Sequence, residues 1–294
     1  MRSQPWVEGR AVPGDDRGLV ACVLTLNEER RIGRAIGSLT GAVDRVVVVD
    51  SESTDRTCAI AQAAGAAVVR RAFTGYADQR NWALGEIASR FGGRWIFTMD
   101  ADEWLSGELH RELAAFDPRQ CAADVVLVRR RTRFAGRVLR HGGFGEIWLA
   151  RLVRAGATRY EDRGVNEHLV IPRDARVSRM HGWLEHGDVD SWTAYIDKHN
   201  RYSTLEAQAR LAGQQGGRGP SVLGAWRDPT LRRRFLRQRV YERLPARPAL
   251  RFLTSYFALG GFLDGRAGFD RALFEAWQEL CIDLKADELR RRGP

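Results

Sequence analysis

Val46-Val47-Val48-Val49-Asp50 is a run of four β-branched residues that stops at a carboxylate. A run that is apolar at every position suits a strand buried on both faces, as in a parallel sheet. Upstream, Leu19-Val20-Ala21-Cys22-Val23-Leu24-Thr25 is a second apolar run. It ends at Asn27-Glu28-Glu29, and a helical pattern follows through Ile32, Ala35, Ile36 and Leu39. Downstream of Asp50, the polar Ser51-Glu52-Ser53-Thr54-Asp55 precedes a helical stretch through Ala59, Ile60 and Ala63 that stops at Gly65. Ala66-Ala67-Val68-Val69 reads as a third strand and Asp78 to Ala88 as a helix. Arg94-Trp95-Ile96-Phe97-Thr98-Met99 reads as a fourth strand running straight into Asp100-Ala101-Asp102. The alternation predicts an α/β, doubly wound, mostly parallel sheet with helices on both faces. In such sheets ligands bind beyond the carboxyl ends of the strands. Asn27-Glu28, Asp50 and Asp100 to Asp102 all fall at such ends.

Beyond residue 105 the pattern changes. Asp124 to Arg133 alternates like a strand, and Glu146 to Val153 and Val165 to Ile171 read as short strands or turns. Together they predict an antiparallel extension on the acceptor side. Ser191 to Leu211 is helical in pattern, and Gly213-Gln214-Gln215-Gly216-Gly217 reads as a linker. Arg227 to Arg251 holds nine arginines against Asp228 and Glu242, and leads into the apolar, aromatic stretch Leu250 to Leu259.

The 294 residues and 44% hydrophobic content exclude a disordered chain. The formal net charge is +10, carried by arginine with only Lys198 and Lys285 as lysines. Arginine grips phosphates bidentately, so the excess suits anionic partners. Cys22, Cys58, Cys121 and Cys281 form no CxxC pattern and no dense disulfide framework, which fits a reducing compartment. The first 17 residues read as a polar tail and not as a secretory signal. No stretch reaches the length of a spanning helix, so a soluble or peripheral protein is expected.

Asp100-Ala101-Asp102 is the sharpest candidate site. Two carboxylates one residue apart, after a buried strand, can hold a hard cation such as Mg²⁺ or Mn²⁺ that neutralises a diphosphate leaving group. Asp50 and Glu28 can accept hydrogen bonds from a base or ribose. Asp55, or Ser53-Thr54, suits the role of helix cap, which leaves Asp50 for ligand work. There is no GxGxxG after the first strand and no GxxxxGK[ST], so a dinucleotide-dependent dehydrogenase and a P-loop NTPase are excluded.

The segments Val23 to Glu29, Val47 to Thr57, Gln79-Arg80-Asn81-Trp82-Ala83 and Met99 to Glu103 resemble family 2 glycosyltransferases of the GT-A fold. The chain is most similar to their lipopolysaccharide-core β-glucosyltransferase-like branch. Arg151 to Arg154, Gly164 to His168, Tyr195 to Lys198 and Gly261 to Phe269 extend that likeness. Glu52 and Asn166 depart from the pattern. The resemblance implies a GT-A catalytic domain over 18–211, with a nucleotide-binding half (18–105) and an acceptor half (106–211), then a basic, amphipathic helical region over 212–294. It implies inverting transfer from a nucleotide sugar, a uridine one by preference, to a lipid-linked or lipopolysaccharide-type glycan. Donor contacts are implied for Thr25, Asn27, Glu28, Asp50, Ser53, Arg80, Asn81, Asp100 and Ala101, and metal binding for Asp102 of the DXD motif.

Inverting transfer needs a base for the acceptor hydroxyl. Glu167 matches the motif, with Asp162, Glu161 and Glu146 as rivals. His186 is expected on a loop as a third metal ligand or diphosphate contact, with His181 as its rival. Arg227 to Arg251 and the apolar stretch behind it read as a device for an anionic membrane surface, which places the protein on the cytoplasmic face of the inner membrane. Two other classes stay open. A sugar-phosphate nucleotidyltransferase would show a Gly-rich basic loop, which is missing. A non-catalytic anionic-surface protein follows from the charge alone, but no nucleic-acid motif appears and no nucleic acid is expected as partner.

Overall fold

A computed structural model describes residues 18–161, 169–187, 189–215 and 246–292. The chain divides into two units, one of residues 1–133 and 146–187, the other of residues 134–145 and 188–294. In chain order the strands are β1 (Leu19–Thr25), β2 (Arg45–Asp50), β3 (Ala67–Arg70), β4 (Trp95–Asp100), β5 (Glu103–Leu105), β6 (Val125–Phe134), β7 (Arg137–Leu139), β8 (Ile147–Arg154), β9 (Arg159–Tyr160), β10 (Leu169–Val170) and β11 (Val177–His186). The helices are α1 (Ile32–Leu39), α2 (Thr57–Ala63), α3 (Tyr76–Arg90), α4 (Gly107–Ala114), α5 (Trp192–Gln215), α6 (Arg247–Leu253) and α7 (Gly265–Arg292).

The first unit is built on a sheet of order β3-β2-β1-β4-β8-β6-β11-β5. The first four strands are parallel, as the apolar runs require. Val47, Val48 and Val49 are buried, so the four-valine run does lie between two layers. On one face, Leu19, Ala21, Val23, Trp95 and Phe97 pack with Ile32, Ile36, Leu109 and Leu113 of α1 and α4. On the other, Val20, Cys22, Val47, Val49 and Ile96 pack with Ala83 and Ile87 of α3. The sheet is therefore covered by helices on both faces. Burial pushes the Cys22 thiol up to about 12, so it stays a protonated core group.

The expected antiparallel extension is present. β8 runs antiparallel to both β4 and β6, and β9 pairs antiparallel with β10. β11 was not legible in the sequence. It lies parallel to β6 and antiparallel to β5, with a register shift between Met180 and Trp183. Gly182 sits in that shift. A Cβ there would lie 2.2 Å from the Leu109 backbone nitrogen, so α4 can approach β11 only over a glycine.

The second unit is helical. Within it, Ala207 of α5 packs with Ile282 and Ala286 of α7. The Lys285 ammonium donates to Asn200, Ser203 and Thr204 of α5. Of the arginines between 227 and 251, only Arg247 and Arg251 are described. Arg247 is buried against Asp283 and Glu279, and Arg251 donates to Glu275 at 2.9 Å. These two arginines hold the helical unit together. No described helix is long and apolar enough to cross a membrane.

Candidate functional site

Register places the acidic positions at one edge of the sheet. β1 lies between β2 and β4, with Thr25 opposite Asp50 and Leu24 opposite Asp100. Three parallel strands thus end level, and their polar residues share that edge.

The loops after β1 and β2 are tied to each other. Asn27 adopts φ 53° and Glu52 φ 66°, both left-handed. The Asn27 amide donates to Ser53 Oγ (2.8 Å), and the Thr54 amide donates to Asn27 Oδ1 (2.8 Å). The Glu28 amide donates to Thr57 Oγ1 (2.8 Å). Asp50 is fully buried. Its Oδ2 accepts the Ser53 amide (2.8 Å) and its Oδ1 accepts the Ser53 hydroxyl (2.5 Å). The N-cap of α2 is Arg56, which makes no side-chain cap bond; Asp55, one residue ahead of it, accepts the Thr57 amide at 2.9 Å. Asp50 is not thereby left free, because it anchors the loop. Burial works against ionising Asp55, but hydrogen bonds from the Thr57 hydroxyl and amide and the Glu29 amide outweigh it and hold the carboxyl below its ordinary value. Thr25 Oγ1 is buried with no hydrogen-bond partner among the described residues.

At the end of β4 the carboxylates are divided by role. Asp100 Oδ1 accepts from Arg80 at 2.8 Å, and Asp100 Oδ2 lies 3.3 Å from Arg151. Burial opposes its ionisation, but the Arg80 and Arg151 guanidinium groups prevail and hold Asp100 well below the usual carboxylate range. Glu103 is fully buried. It accepts the Asp100 amide at 3.0 Å and Arg151 at 2.6 and 2.8 Å. Arg130 approaches the same carboxylate at 3.6 Å. The turn Asp100 to Glu103 is therefore fastened at its first and last residues, with Ala101 buried between them.

Asp102 stands opposite His186, with Oδ1 and Nε2 4.0 Å apart. The pairing of β11 with β5 puts His186 beside Glu103, and the Gly187 amide donates to the Asp102 carbonyl at 3.1 Å. His186 lies at the end of a strand and not on the loop expected, since the mixed polar and apolar residues of β11 hid its alternation. Burial, reinforced by Arg130, pushes the imidazole below its ordinary value despite Asp102 nearby, which favours the neutral, ligand-competent form. His186 Nδ1 is buried without a hydrogen-bond partner among the described residues. His181 sits elsewhere on the same strand, its ring 6.2 Å edge-on to Trp148.

A neutral imidazole and a carboxylate at this spacing fit two positions of one divalent ion, since ligands about 2.1 Å from a shared ion lie within about 4.2 Å of each other. The imidazole favours Mn²⁺ over the harder Mg²⁺. No group of three or more acidic, histidine or cysteine side chains suited to a metal occurs among the described residues.

Asn81 is engaged in a lock. Its amide donates to the Tyr160 carbonyl (2.9 Å) and accepts the Tyr160 amide (2.7 Å), which ties α3 to β9. Glu167 and Asp162 lie outside the described residues. Glu161 follows the locked Tyr160, and Glu146 lies 3.7 Å from Arg129.

A family model described as Glycosyl transferase family 2 matches residues 20–154. The lipopolysaccharide core biosynthesis glycosyltransferase LpsC of Rhizobium meliloti is 30% identical over 264 residues, covering 87% of this chain and 86% of LpsC. The chain belongs to glycosyl transferase family 2. An uncharacterized glycosyltransferase of Rickettsia felis is 47% identical over 93 residues, which is 32% of this chain and only 31% of that protein's length. Among solved structures, the mannosyltransferase PcManGT of Pyrobaculum calidifontis in complex with GDP-Man and Mn²⁺ aligns over 96% of this chain and 90% of its own, with a TM-score of 0.48 and 15% identity.

In this family 2 glycosyltransferase the sequence reading missed the parts that hold the site in shape. The sequence pattern assigns no role to the Arg151 or the Glu103 side chain. The available signal was an arginine inside the apolar strand Ile147 to Val153, because a buried charge requires a partner. The arginine excess along the whole chain concealed it.

Proposed function

We propose that this family 2 glycosyltransferase moves a sugar from a nucleotide-diphosphate sugar onto a hydroxyl of a glycan or lipid-linked acceptor, with inversion at the anomeric carbon. The observation that carries this reading is the pairing of Asp102 with a desolvated His186 beside an Asp100 held ionised by two arginines. Asp102 and His186 would hold a Mn²⁺ or Mg²⁺ ion, which when bound neutralises charge on the diphosphate leaving group. Asp100 accepts hydrogen bonds from donor hydroxyls while its arginines keep it charged. Glu28, Asn27 and Ser53 shape the nucleoside side, and Thr25 offers a buried hydroxyl without a partner among the described residues.

In the transfer the acceptor oxygen attacks the anomeric carbon as the bond to the nucleoside diphosphate breaks, and Glu167 takes the acceptor proton. Similarity to LpsC supports a lipopolysaccharide-type acceptor, and so a site of action at the cytoplasmic surface of a membrane. The uridine nucleotide is the donor expected first. A donor-hydrolysis screen over UDP-, GDP- and dTDP-sugars, with Mn²⁺ and with chelator, tests the reading. Metal-dependent release of one nucleoside diphosphate is expected. Turnover unaffected by chelator, or pyrophosphate release from a nucleoside triphosphate instead, would overturn it.

A further inference from the structure

The acidic strand ends of the first unit leave one large feature of the second unit unused. Where α6 runs into α7, Leu253, Phe257, Leu259, Phe262 and Leu263 are each between 47% and 62% exposed. They form one tip. The Tyr256 ring lies 5.0 Å from that of Phe257 and 6.3 Å from that of Phe262, and the Phe252 ring lies 6.3 Å from Phe257. The Leu263 amide closes the turn onto the Gly260 carbonyl at 2.9 Å. A Cβ on Gly268 would sit 1.9 Å from the Gly261 carbonyl oxygen, so only a glycine lets α7 start this close to the turn. Single exposed apolar side chains are ordinary, but five gathered on one tight turn mark an interaction surface.

Two acidic groups near the tip are turned inward. Asp264 faces inward: Oδ2 accepts the Arg140 and His141 amides at 2.9 and 2.8 Å, and Oδ1 meets His141 Nδ1 at 3.0 Å. Glu275 is buried beneath Arg251 and Ser255. Arg140 and Arg266 are exposed beside the turn, Arg266 in an ion pair with Asp270 at 2.7 Å. In sequence, α6 is preceded by Arg227, Arg232, Arg233, Arg234, Arg237, Arg239 and Arg243.

We propose that this tip docks on an anionic bilayer, with the five apolar side chains entering the interface and the exposed Arg140 beside them meeting a lipid phosphate. The proposal rests on the reading of a membrane-borne acceptor and names the face that meets the membrane. A second copy of the chain is the rival occupant. It is disfavoured because two chains that each carry a net charge of +10 repel one another.

Flotation of the full chain with phosphatidylcholine vesicles, and with vesicles that also carry phosphatidylglycerol, tests the proposal. Wild type floats with the anionic vesicles only, and less as salt is raised. The double variant Phe257→Ser, Leu263→Ser loses this binding by about tenfold or more. Phe257→Leu retains it, as does Leu205→Ser, an exposed apolar control on α5. Thermal melts near wild type confirm that the variants fold. A serine variant that floats like wild type, or a wild type that floats with neither vesicle, would overturn the proposal. So would a wild-type dimer that the serine variant converts to a monomer in light scattering. Donor hydrolysis in vesicle-free buffer is read in parallel and is unchanged in the tip variants. Its absence in wild type would count against the transferase reading and not against docking.

Discussion

Glu103 shows how far the site depends on groups that need not touch a ligand. It fastens the Asp100 amide and both faces of the turn to Arg151, all within a buried cluster. Removing it strands Arg151 without its main counter-charge. Glu103→Ala is therefore expected to cost about 3–5 kcal/mol in thermal or urea unfolding. Replacing both partners, Glu103→Leu with Arg151→Leu, recovers much of that stability while leaving transfer impaired. Asp55 works on a smaller scale. Losing its bonds to the Glu29 and Thr57 amides by Asp55→Ala costs about 1 kcal/mol at neutral pH. Because its folded pKa lies below the unfolded value near 3.9, this contribution is complete above that value and is lost as pH falls through the folded pKa. Melting temperatures of wild type and variant, measured from pH 7 to pH 3, should converge at the acid end. A gap of constant size would show that Asp55 acts through packing and not through its charge.

Among the elements, those with simple hydrophobic patterns were legible in the sequence and those that bury polar groups were not. β1, β2 and β4 announce themselves as apolar runs because both their faces meet helices. β5 and β11 carry Glu103 and Glu185 inward, so their alternation disappears from the sequence. The same rule divides the site. Asp100, Asp102 and Asp50 were readable as carboxylates at strand ends. The engagement of Asp50 by Ser53 is a local turn that the residue types alone do not declare, and the placing of His186 on a strand depended on tertiary pairing. Gly182 gives the element scale its test. Gly182→Ala forces the Leu109 backbone away from β11 and should cost about 1–3 kcal/mol or more, whereas Gly37→Ala on the exposed face of α1, with open space around it, should add about 0.4–1 kcal/mol. Equal melting temperatures for the two variants would refute the close approach of α4 and β11.

At the level of the whole molecule, a chain of net charge +10 has used many of its arginines as internal fasteners. Arg80, Arg151, Arg247 and Arg251 each meet a carboxylate, and Arg131 and Arg133 share Glu185. The composition therefore overstates the charge left for partners, and what the exposed arginines do depends on where they lie. The first unit gathers acidic strand ends, an Asp100 held ionised by Arg80 and Arg151, and the Asp102–His186 pair proposed to hold the metal. That arrangement is the basis for assigning it the donor. The direct measurement is calorimetric titration of UDP into wild type, Asp102→Ala and His186→Ala, with Mn²⁺ and with chelator. The account predicts Mn²⁺-dependent binding in wild type that weakens at least about tenfold in both variants, a loss of roughly 1.4 kcal/mol or more, with melting curves unchanged. Binding of equal strength and equal metal response in Asp102→Ala would contradict it.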